Sequence, residues 1–477
     1  ESSHFVTSLM ANVRSIKLVF LLLLWSLSSM GQAKYWLSAK DTTSAKQLVN
    51  LLQPTFCSQW LGQCSYLLTS EQTESLFNSG IEITPVQQYE PASFDTGSEL
   101  LGFPLEQIKA EYFIKLGLNG KGVKIGIIDG GFLKADNDKS LTHLFENDLV
   151  KEYKDYITPK MEPYSGAIGL DDNHGTEVWQ LIGGVRTDKN VQYGLATASE
   201  YYLARTDHGA YEKRIEEDYL IQAMEDMYSK GVRLFNLSIG YNLGFKAPEL
   251  NYRVEQMDGK TTALAKAVEH AALEKGMLIV VAAGNDAKTK WQIIDTPADA
   301  PHALTVGASK FEIWDKMDYS SIGPDFTDFV KPDISVYSTL GTSFSTPIVT
   351  GMAACIWQYD TTLTNLEIIE IFKKAGNFYP YPNNYLGYGV PTAENILKVM
   401  RDEPLVRPKT VNAKKEYRFK LNKSISYVVA FQKKDERNVM ARFVYRPKKN
   451  QVKIKRYEDA QQTSILIGSE VIEIFWK

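Results

Sequence analysis

Residues 124–129 read KIGIID, an apolar run of strand length that ends on the acid Asp129. Further apolar runs follow, and stretches with helical periodicity lie between or after them near residues 213–230, 261–275 and 347–358. The runs are YYLA (201–204), RLFNLS (233–238), MLIVVAA (277–283) and ALTVGA (303–308). Continuous apolar strands that alternate with amphipathic helices are typical of a parallel sheet covered on both faces. The sequence therefore predicts an α/β fold of three layers around a central, mostly parallel sheet.

A smaller segment lies on each side of this alternation. Residues 34–92 mix short apolar runs with polar residues, and we expect a small α+β unit there. After residue 400 the pattern changes to short alternating strands, which predicts a separate β-rich domain over residues 401–477. The main domain is expected over residues 93–400. Cys57 and Cys64 are close enough in sequence to bridge in an oxidising compartment, a question that spacing alone leaves open.

The small net charge of −4 conceals a basic C-terminal segment. Residues 401–477 hold 19 Lys or Arg and 9 Asp or Glu, a net charge of about +10. Such a surface attracts acidic partners, although exposed lysines are also what an ordinary solvated β-sheet carries. No nucleic-acid-binding motif accompanies these charges, so we predict no nucleic-acid partner.

The N-terminal segment has the features of a secretion signal. Arg14 and Lys17 precede the apolar run LVFLLLLW at residues 18–25, which is too short to span a bilayer. Small residues follow, and Ala33 is a suitable cleavage position. We therefore predict a signal peptide over residues 10–33, no transmembrane span, and secretion to the medium, cell surface or periplasm. An N-terminal membrane anchor is the alternative.

Three short motifs supply an acid, a base and a hydroxyl nucleophile in the chain order Asp, His, Ser. Asp129 ends a predicted strand, His174 opens the HGT motif, and Ser343 lies in GTSFSTP at residues 341–347. A serine hydroxyl becomes an effective nucleophile when a histidine removes its proton and an acid orients that histidine. Each residue alone has an ordinary structural role, but their shared order and context favour catalysis. Ser345 is the alternative serine.

Asn285 is a candidate for an oxyanion hole. It follows a predicted buried strand in VVAAGND, where its amide would donate a hydrogen bond to a tetrahedral intermediate. The main-chain N–H of Ser343 is the second expected donor, because it lies at the start of an apolar helix with Pro347 in its first turn. A Gly-Asn pair is also common in turns, which is the alternative for Asn285.

Together these motifs resemble the subtilase family of serine peptidases, in particular a secreted bacterial branch of it. The resemblance covers about residues 107–398, where GIIDGGF, DDNHGTEV, NLSIGY, VVAAGND, YSSIGP, KPDIS and GTSFSTPIVTG occur in the family's order. It implies a subtilisin-like fold and a secreted endopeptidase that hydrolyses polypeptides through an acyl-enzyme. Asp129, His174 and Ser343 would form the triad, and Asn285 would complete the oxyanion hole.

The resemblance also implies how a polypeptide substrate is bound. One strand end would pair with an extended substrate backbone, and the next would wall the pocket for the P1 side chain. These two sets are Leu237, Ser238, Ile239 and Gly240, and Ala282, Ala283 and Gly284. Asp295 matches a position near the pocket floor, where an acid would favour Lys or Arg at P1; a solvated loop carboxylate is the alternative. Residues 34–92 would be a propeptide that inhibits the enzyme intramolecularly until it is removed.

Two further expectations follow from the resemblance. The chemistry requires no cofactor, and structural calcium is common in the family, but its ligands cannot be assigned here because Asp and Glu are scattered over many loops. Trp179 stands where the family usually has a small residue, so the packing behind His174 must differ.

Three other classes of protein compete with this interpretation. A binding protein on an inactive protease scaffold would usually have lost a catalytic residue, and all four are present here. A sedolisin-like acid peptidase shares a GTS-type serine motif but uses Glu and Asp in place of the histidine base, which HGT at residues 174–176 argues against. An α/β-hydrolase would need a G-x-S-x-G elbow, which the region of Ser343 lacks.

Overall fold

The computed structural model describes residues 33–38, 52, 56–58, 63–69, 72, 76, 82–85, 100–166, 173–207, 213–245, 251–421 and 425–477. The chain divides into two compact units, Glu1–Ala92 and Ser93–Lys477. The predicted signal peptide lies outside the described residues except for Ala33. Across the described ranges, no helix is both long enough and apolar enough to cross a membrane.

The first unit contains an antiparallel sheet. Its strands are β1 (Ala33–Ser38), β2 (Phe56–Ser58), β3 (Gln63–Leu68) and β4 (Glu82–Pro85), in the spatial order β2-β3-β1-β4. The register of β2 and β3 places Cys57 directly opposite Cys64.

The second unit is built on a central parallel sheet. Its first ten strands are β5 (Leu100–Leu101), β6 (Lys124–Asp129), β7 (Val150–Asp155), β8 (Val185–Arg186), β9 (Val191–Gln192), β10 (Glu200–Arg205), β11 (Leu234–Leu237), β12 (Leu278–Ala282), β13 (Leu304–Ser309) and β14 (Ile334–Tyr337). Within the described residues, seven of them pair in parallel in the order β14-β13-β12-β11-β6-β10-β7. Strands β5, β9 and β8 form a small separate sheet. The predicted parallel sheet is therefore confirmed.

Helices cover both faces of this sheet. They are α1 (Phe103–Gln107), α2 (Glu111–Ile114), α3 (Thr142–Glu146), α4 (His174–Gly183), α5 (Arg214–Ser229), α6 (Ala263–Lys275), α7 (Thr342–Tyr359), α8 (Asn365–Ala375) and α9 (Ala393–Met400). Helices α4 and α7 pack in one apolar cluster, and α5 and α6 pack in a second. Leu234 joins the first cluster and its neighbour Phe235 the second, because successive strand residues point to opposite faces.

Sequence signals for the ends of these helices are visible in α6. Its N-cap residue, Thr262, accepts a hydrogen bond from the N–H of Ala265, and Gly276 ends the helix in the left-handed conformation at a φ of 63°. Helix α7 begins at Thr342, five residues before the predicted helix. Ser343 therefore lies inside the helix rather than before it, and the prediction that Pro347 lies in the first turn is wrong.

The C-terminal segment is a β-structure. Its strands are β15 (Lys409–Ala413), β16 (Glu416–Lys420), β17 (Val428–Lys433), β18 (Val439–Tyr445), β19 (Gln451–Lys455), β20 (Gln462–Ile467) and β21 (Glu470–Trp476). One sheet has the order β15-β21-β20-β17-β18, and β16 pairs with β19. This segment shares an apolar cluster with the α/β part, in which Phe378 and Leu386 pack with Val429 and Phe431.

Candidate active site

Asp129 is placed at the carboxyl edge of the parallel sheet. It ends β6, between β10 and β11, and its side chain is fully buried. Its Oδ1 accepts a hydrogen bond of 2.8 Å from the N–H of Gly130. Arg205, at the end of β10, donates from Nε to the carbonyl of Gly130 at 3.0 Å. The turn that follows the acid is thus held from the neighbouring strand.

His174 is the first residue of α4, and the structure brings it to Asp129. Its Nδ1 lies 2.7 Å from Asp129 Oδ1, so the acid fixes the orientation of the ring. The side chain keeps 23% of its surface exposed, which leaves the other edge of the imidazole toward the cleft. This contact requires a close approach of the helix: a Cβ on Gly175 would lie 2.6 Å from the carbonyl oxygen of Gly131. The glycine of the HGT motif therefore has a steric function.

Trp179 packs in an aromatic cluster on the helix that begins at His174. Its side chain is fully buried in the first apolar cluster. The indole packs at 5.6 Å from the ring of Phe145 and at 5.3 Å from the ring of Tyr201. A large aromatic cluster thus supports the helix that begins at His174.

Ser343 is the second residue of α7, and only 8% of its surface is exposed. Pro347, four residues later, has no N–H to donate to the Ser343 carbonyl. The hydroxyl of Ser238 donates to that carbonyl instead, at 2.8 Å. Asn236 Nδ2 donates to Ser238 Oγ at 2.9 Å, and Asn236 Oδ1 accepts from Thr350 of the same helix. A buried polar network therefore fixes the start of α7 to the end of β11.

Asn285 has an amide whose orientation is set by its neighbours. Its Oδ1 accepts a hydrogen bond of 2.9 Å from the N–H of Thr342, so its Nδ2 is the side of the amide available to a ligand. A Cβ built on Gly341 would lie 3.1 Å from Ser343 Oγ and 3.5 Å from Asn285 Nδ2. The serine hydroxyl and the amide donor therefore both reach the space beside Gly341, which a side chain would occupy.

A cleft of about 340 Å³ joins these groups. Of the predicted site residues it is lined by His174, Ser238, Ile239, Gly240, Ala282, Gly284, Asn285, Asp295 and Ser343. Leu237 and Ala283 are fully buried in the second apolar cluster and do not line it. Pairing of the Leu237 backbone with substrate and the place of Ala283 in the P1 wall stay predictions. Sequence reasoning missed Asp207, Asn242 and Asp286, which also line the cleft; Asp286 ends the motif VVAAGND but was assigned no role.

Asp295 lies deep in this cleft, with 7% of its surface exposed. The alternative of a solvated loop carboxylate is therefore wrong. Its Oδ1 accepts a hydrogen bond of 2.6 Å from Asn242 Nδ2, and the same amide lies 2.8 Å from an oxygen of Asp286. Burial, reinforced by the charge of Asp286, raises the pKa of Asp295 well above its usual value. A Cβ on Gly284 would lie 2.4 Å from Asp295 Oδ2, so the absence of a side chain at Gly284 leaves room for the carboxyl group.

The described residues offer no group of three or more His, Cys, Asp or Glu side chains that could hold a metal ion. Structural calcium stays a prediction, because calcium is also bound through main-chain carbonyl and side-chain amide oxygens.

Comparison with known proteins shows which family the chain is similar to. The sequence profile of the subtilase family, Peptidase S8, matches residues 120–389. Subtilisin NAT of Bacillus subtilis subsp. natto is 26% identical over 301 residues, which cover 60% of this chain and 68% of that protein. Subtilisin of Bacillus pumilus is 26% identical over 290 residues, covering 58% of this chain and 91% of that protein. The solved structure of MycP1 with its N-terminal propeptide removed has a TM-score of 0.47 and 20% identity, covering 62% of this chain and 96% of that one.

The family profile spans more than half of the chain and includes every element that carries Asp129, His174, Asn285 and Ser343. The chain therefore belongs to the subtilase family and is a serine-type peptidase.

Proposed function

We propose that this peptidase is a secreted endopeptidase that cleaves polypeptides through a Ser343 acyl-enzyme. The observation that carries the proposal is the shared cleft, in which a hydroxyl, an acid-oriented imidazole and an amide donor meet. Peptide hydrolysis by a serine enzyme needs these three functions in one place.

In the proposed mechanism His174 acts as the general base. Donation from its Nδ1–H to Asp129 Oδ1 leaves Nε2 as the acceptor for the Ser343 proton. Ser343 Oγ then attacks the scissile carbonyl, and the protonated imidazole gives its proton to the leaving amine. Water, deprotonated by His174, next attacks the acyl-enzyme and releases Ser343 and the carboxylic acid product.

The negative charge on the tetrahedral intermediate would be held by two donors. One is Asn285 Nδ2, whose partner oxygen is already committed to Thr342. The other is the N–H of Ser343, which is among the first N–H groups of α7 and so has no acceptor within the helix. Removal of one such donor typically costs a factor of about 10²–10³ in kcat.

The proposed substrate lies extended along residues 238–240, with its P1 side chain directed toward Ala282, Gly284 and Asp295. Support comes from the lining of the cleft, which includes three acids and no Lys or Arg among the described residues. A Lys or Arg at P1 would ionise Asp295 and pair with it, whereas an apolar P1 residue would meet its neutral form. We therefore propose a preference for basic residues at P1.

Secretion and latency complete the proposal. The basic-then-apolar segment at residues 10–33 supports export. Residues 34–92 are proposed to be a propeptide that keeps the peptidase inactive until it is removed. Their compactness as part of a unit of their own supports this division.

Labelling with a fluorophosphonate tests the proposal, since this reagent modifies serines activated by a base. The full chain should be labelled at Ser343 after limited proteolysis of residues 34–92 and much less before it, because those residues are proposed to keep the peptidase inactive. Labelling should disappear in Ser343→Ala and in His174→Ala, whereas Ser345→Ala should retain it as the matched control. Absence of labelling even after proteolysis, or labelling at Ser345, would contradict the mechanism.

A further inference from the structure

Strands β16 and β19 form a two-stranded ribbon with two different faces. The exposed residues of each strand alternate with buried or half-buried ones. Tyr417, Phe419, Val452 and Ile454 point inward and pack in the C-terminal apolar cluster. The outer face consists of Glu416, Arg418, Lys420, Gln451, Lys453 and Lys455, all exposed. In the antiparallel register these six side chains stand opposite one another on one surface.

This outer face carries four cations and one acid, Glu416, which stands opposite Lys455. Arg418 is directly opposite Lys453, an arrangement of like charges that destabilises a strand pair. Glu416, the one acid of the face, lies 2.7 Å from Arg418 and 3.6 Å from Lys453. Among the described residues, neither Lys420 nor Lys455 has a carboxylate within ion-pair distance.

The positive charge continues beyond the ends of the ribbon. Lys414 and Lys415 precede β16, Lys448 and Lys449 precede β19, and all four are exposed. Alternate residues on one strand are about 6.8 Å apart, and the two strands are about 4.8 Å apart. The surface therefore presents cations in two neighbouring columns, with Glu416 and Gln451 at opposite corners.

We propose that this surface, the cationic ribbon, binds a linear anionic polysaccharide and thereby holds the peptidase on it. A linear polymer with a carboxylate or sulfate on each repeat can place successive anions along these columns of cations. Lysine, which supplies most of the charge, is a point charge that makes no geometric demand on its anion. The outer face offers no aromatic side chain for stacking on bases and no apolar side chain for insertion into a bilayer.

Binding of the full chain to immobilised heparin and to polygalacturonate tests the proposal, with neutral dextran as the reference. The ribbon variant is Arg418→Thr, Lys420→Thr, Lys453→Thr and Lys455→Thr, in which threonine preserves strand propensity. The matched control is Lys121→Thr, Lys139→Thr, Lys160→Thr and Lys189→Thr, which removes the same charge from exposed positions of the α/β part. Both variants should keep their thermal unfolding midpoint within a few degrees.

The wild-type chain and the control variant should bind at least one of the two polyanions, more weakly as salt rises. The ribbon variant should bind at least about tenfold more weakly, with a smaller dependence on salt, because fewer counterions are released. Equal losses in the two variants would overturn the proposal, as would no binding to either polyanion. Tighter binding to phosphatidylglycerol vesicles or to duplex DNA than to both polysaccharides would also overturn it.

Discussion

The hydroxyl of Ser238 replaces the N–H that Pro347 cannot donate, and so completes the hydrogen bonding of the Ser343 carbonyl at 2.8 Å. Ser238, directly after the end of β11, thereby fixes the position of the proposed nucleophile, Ser343. Ser238 also lines the cleft, so one side chain contacts the start of α7 and lies where the substrate is proposed to bind.

Ser238→Ala should leave the buried Ser343 carbonyl without a partner. We expect a loss of about 1–3 kcal/mol in the free energy of unfolding. We also expect kcat to fall by about tenfold or more with a small change in KM, because the main-chain contacts to substrate remain. Ser345→Ala is the control, since that hydroxyl bonds only within α7, to the carbonyl of Thr342. A rise in KM with unchanged kcat would contradict the positioning role of Ser238.

Asp295→Asn should reduce the cleavage of substrates with a basic P1 residue but not of those with an apolar P1 residue. It removes the ionisable group but keeps the shape, so kcat/KM for P1-Arg substrates should fall by about 10²-fold while P1-Leu substrates change little. Profiling matched peptides that differ only at P1 measures this. Equal effects on both substrates would remove the proposed specificity.

The same carboxyl predicts a pH dependence. Burial raises the pKa of Asp295, so the protonated form is favoured in the folded enzyme. Stability from this group is present at low pH and is lost as the pH rises through the raised pKa. Conversely, kcat/KM for P1-Arg should increase over that range, because pairing needs the carboxylate. Neither trend should appear in Asp295→Asn, and a persistent trend would assign it to another group.

Gly175→Ala should separate His174 from Asp129. The added methyl group would meet the Gly131 carbonyl at 2.6 Å and the Asp129 Cβ at 2.9 Å, so α4 must shift. We expect about 1–3 kcal/mol of destabilisation and about a 10²-fold loss of kcat, measured by denaturant unfolding and peptide hydrolysis. Gly102→Ala is the control because its methyl group would meet only ordinary contacts, the nearest at 3.6 Å. Full activity in Gly175→Ala would show that α4 can lie close enough to Asp129 without this glycine.

Removal of residues 401–477 should destabilise the α/β part. Deletion exposes Phe378 and Leu386, which are fully buried against the C-terminal sheet, and it removes Arg442, which pairs with buried Asp315. A milder test is Phe431→Ala, which should cost about 3–5 kcal/mol. Val444→Ala, at a position that is 51% exposed, is its control. Unchanged unfolding midpoints in the truncated chain would show that the shared cluster is dispensable.

The sequence predicted five of the seven described strands of the central sheet, with bounds within one residue, because continuous apolar runs leave little choice of layer. Strands β7 and β14 were not predicted, since VKEYKD is rich in charged residues and ISVY is only four residues long. Asp129, His174, Asn285 and Ser343 were found through motifs that are local in sequence. Asn242 was not, since its contacts with Asp286 and Asp295 span 44 and 53 residues of chain and depend on how loops cross. The start of α7 was also mispredicted. The hydroxyl of Ser238 replaces the N–H that Pro347 lacks, and local sequence patterns do not reveal a contact between residues so far apart in the chain.

The order in which the chain supplies its active groups has a consequence for the producing cell. The acid stands at residue 129 and the base at residue 174, but the hydroxyl at residue 343 arrives only with α7. A polypeptide whose synthesis stops before that helix holds an acid and an imidazole with nothing to attack a peptide bond. Under the proposed mechanism, unfinished chains therefore cannot hydrolyse peptide bonds, and activity becomes possible only after most of the protein has been made.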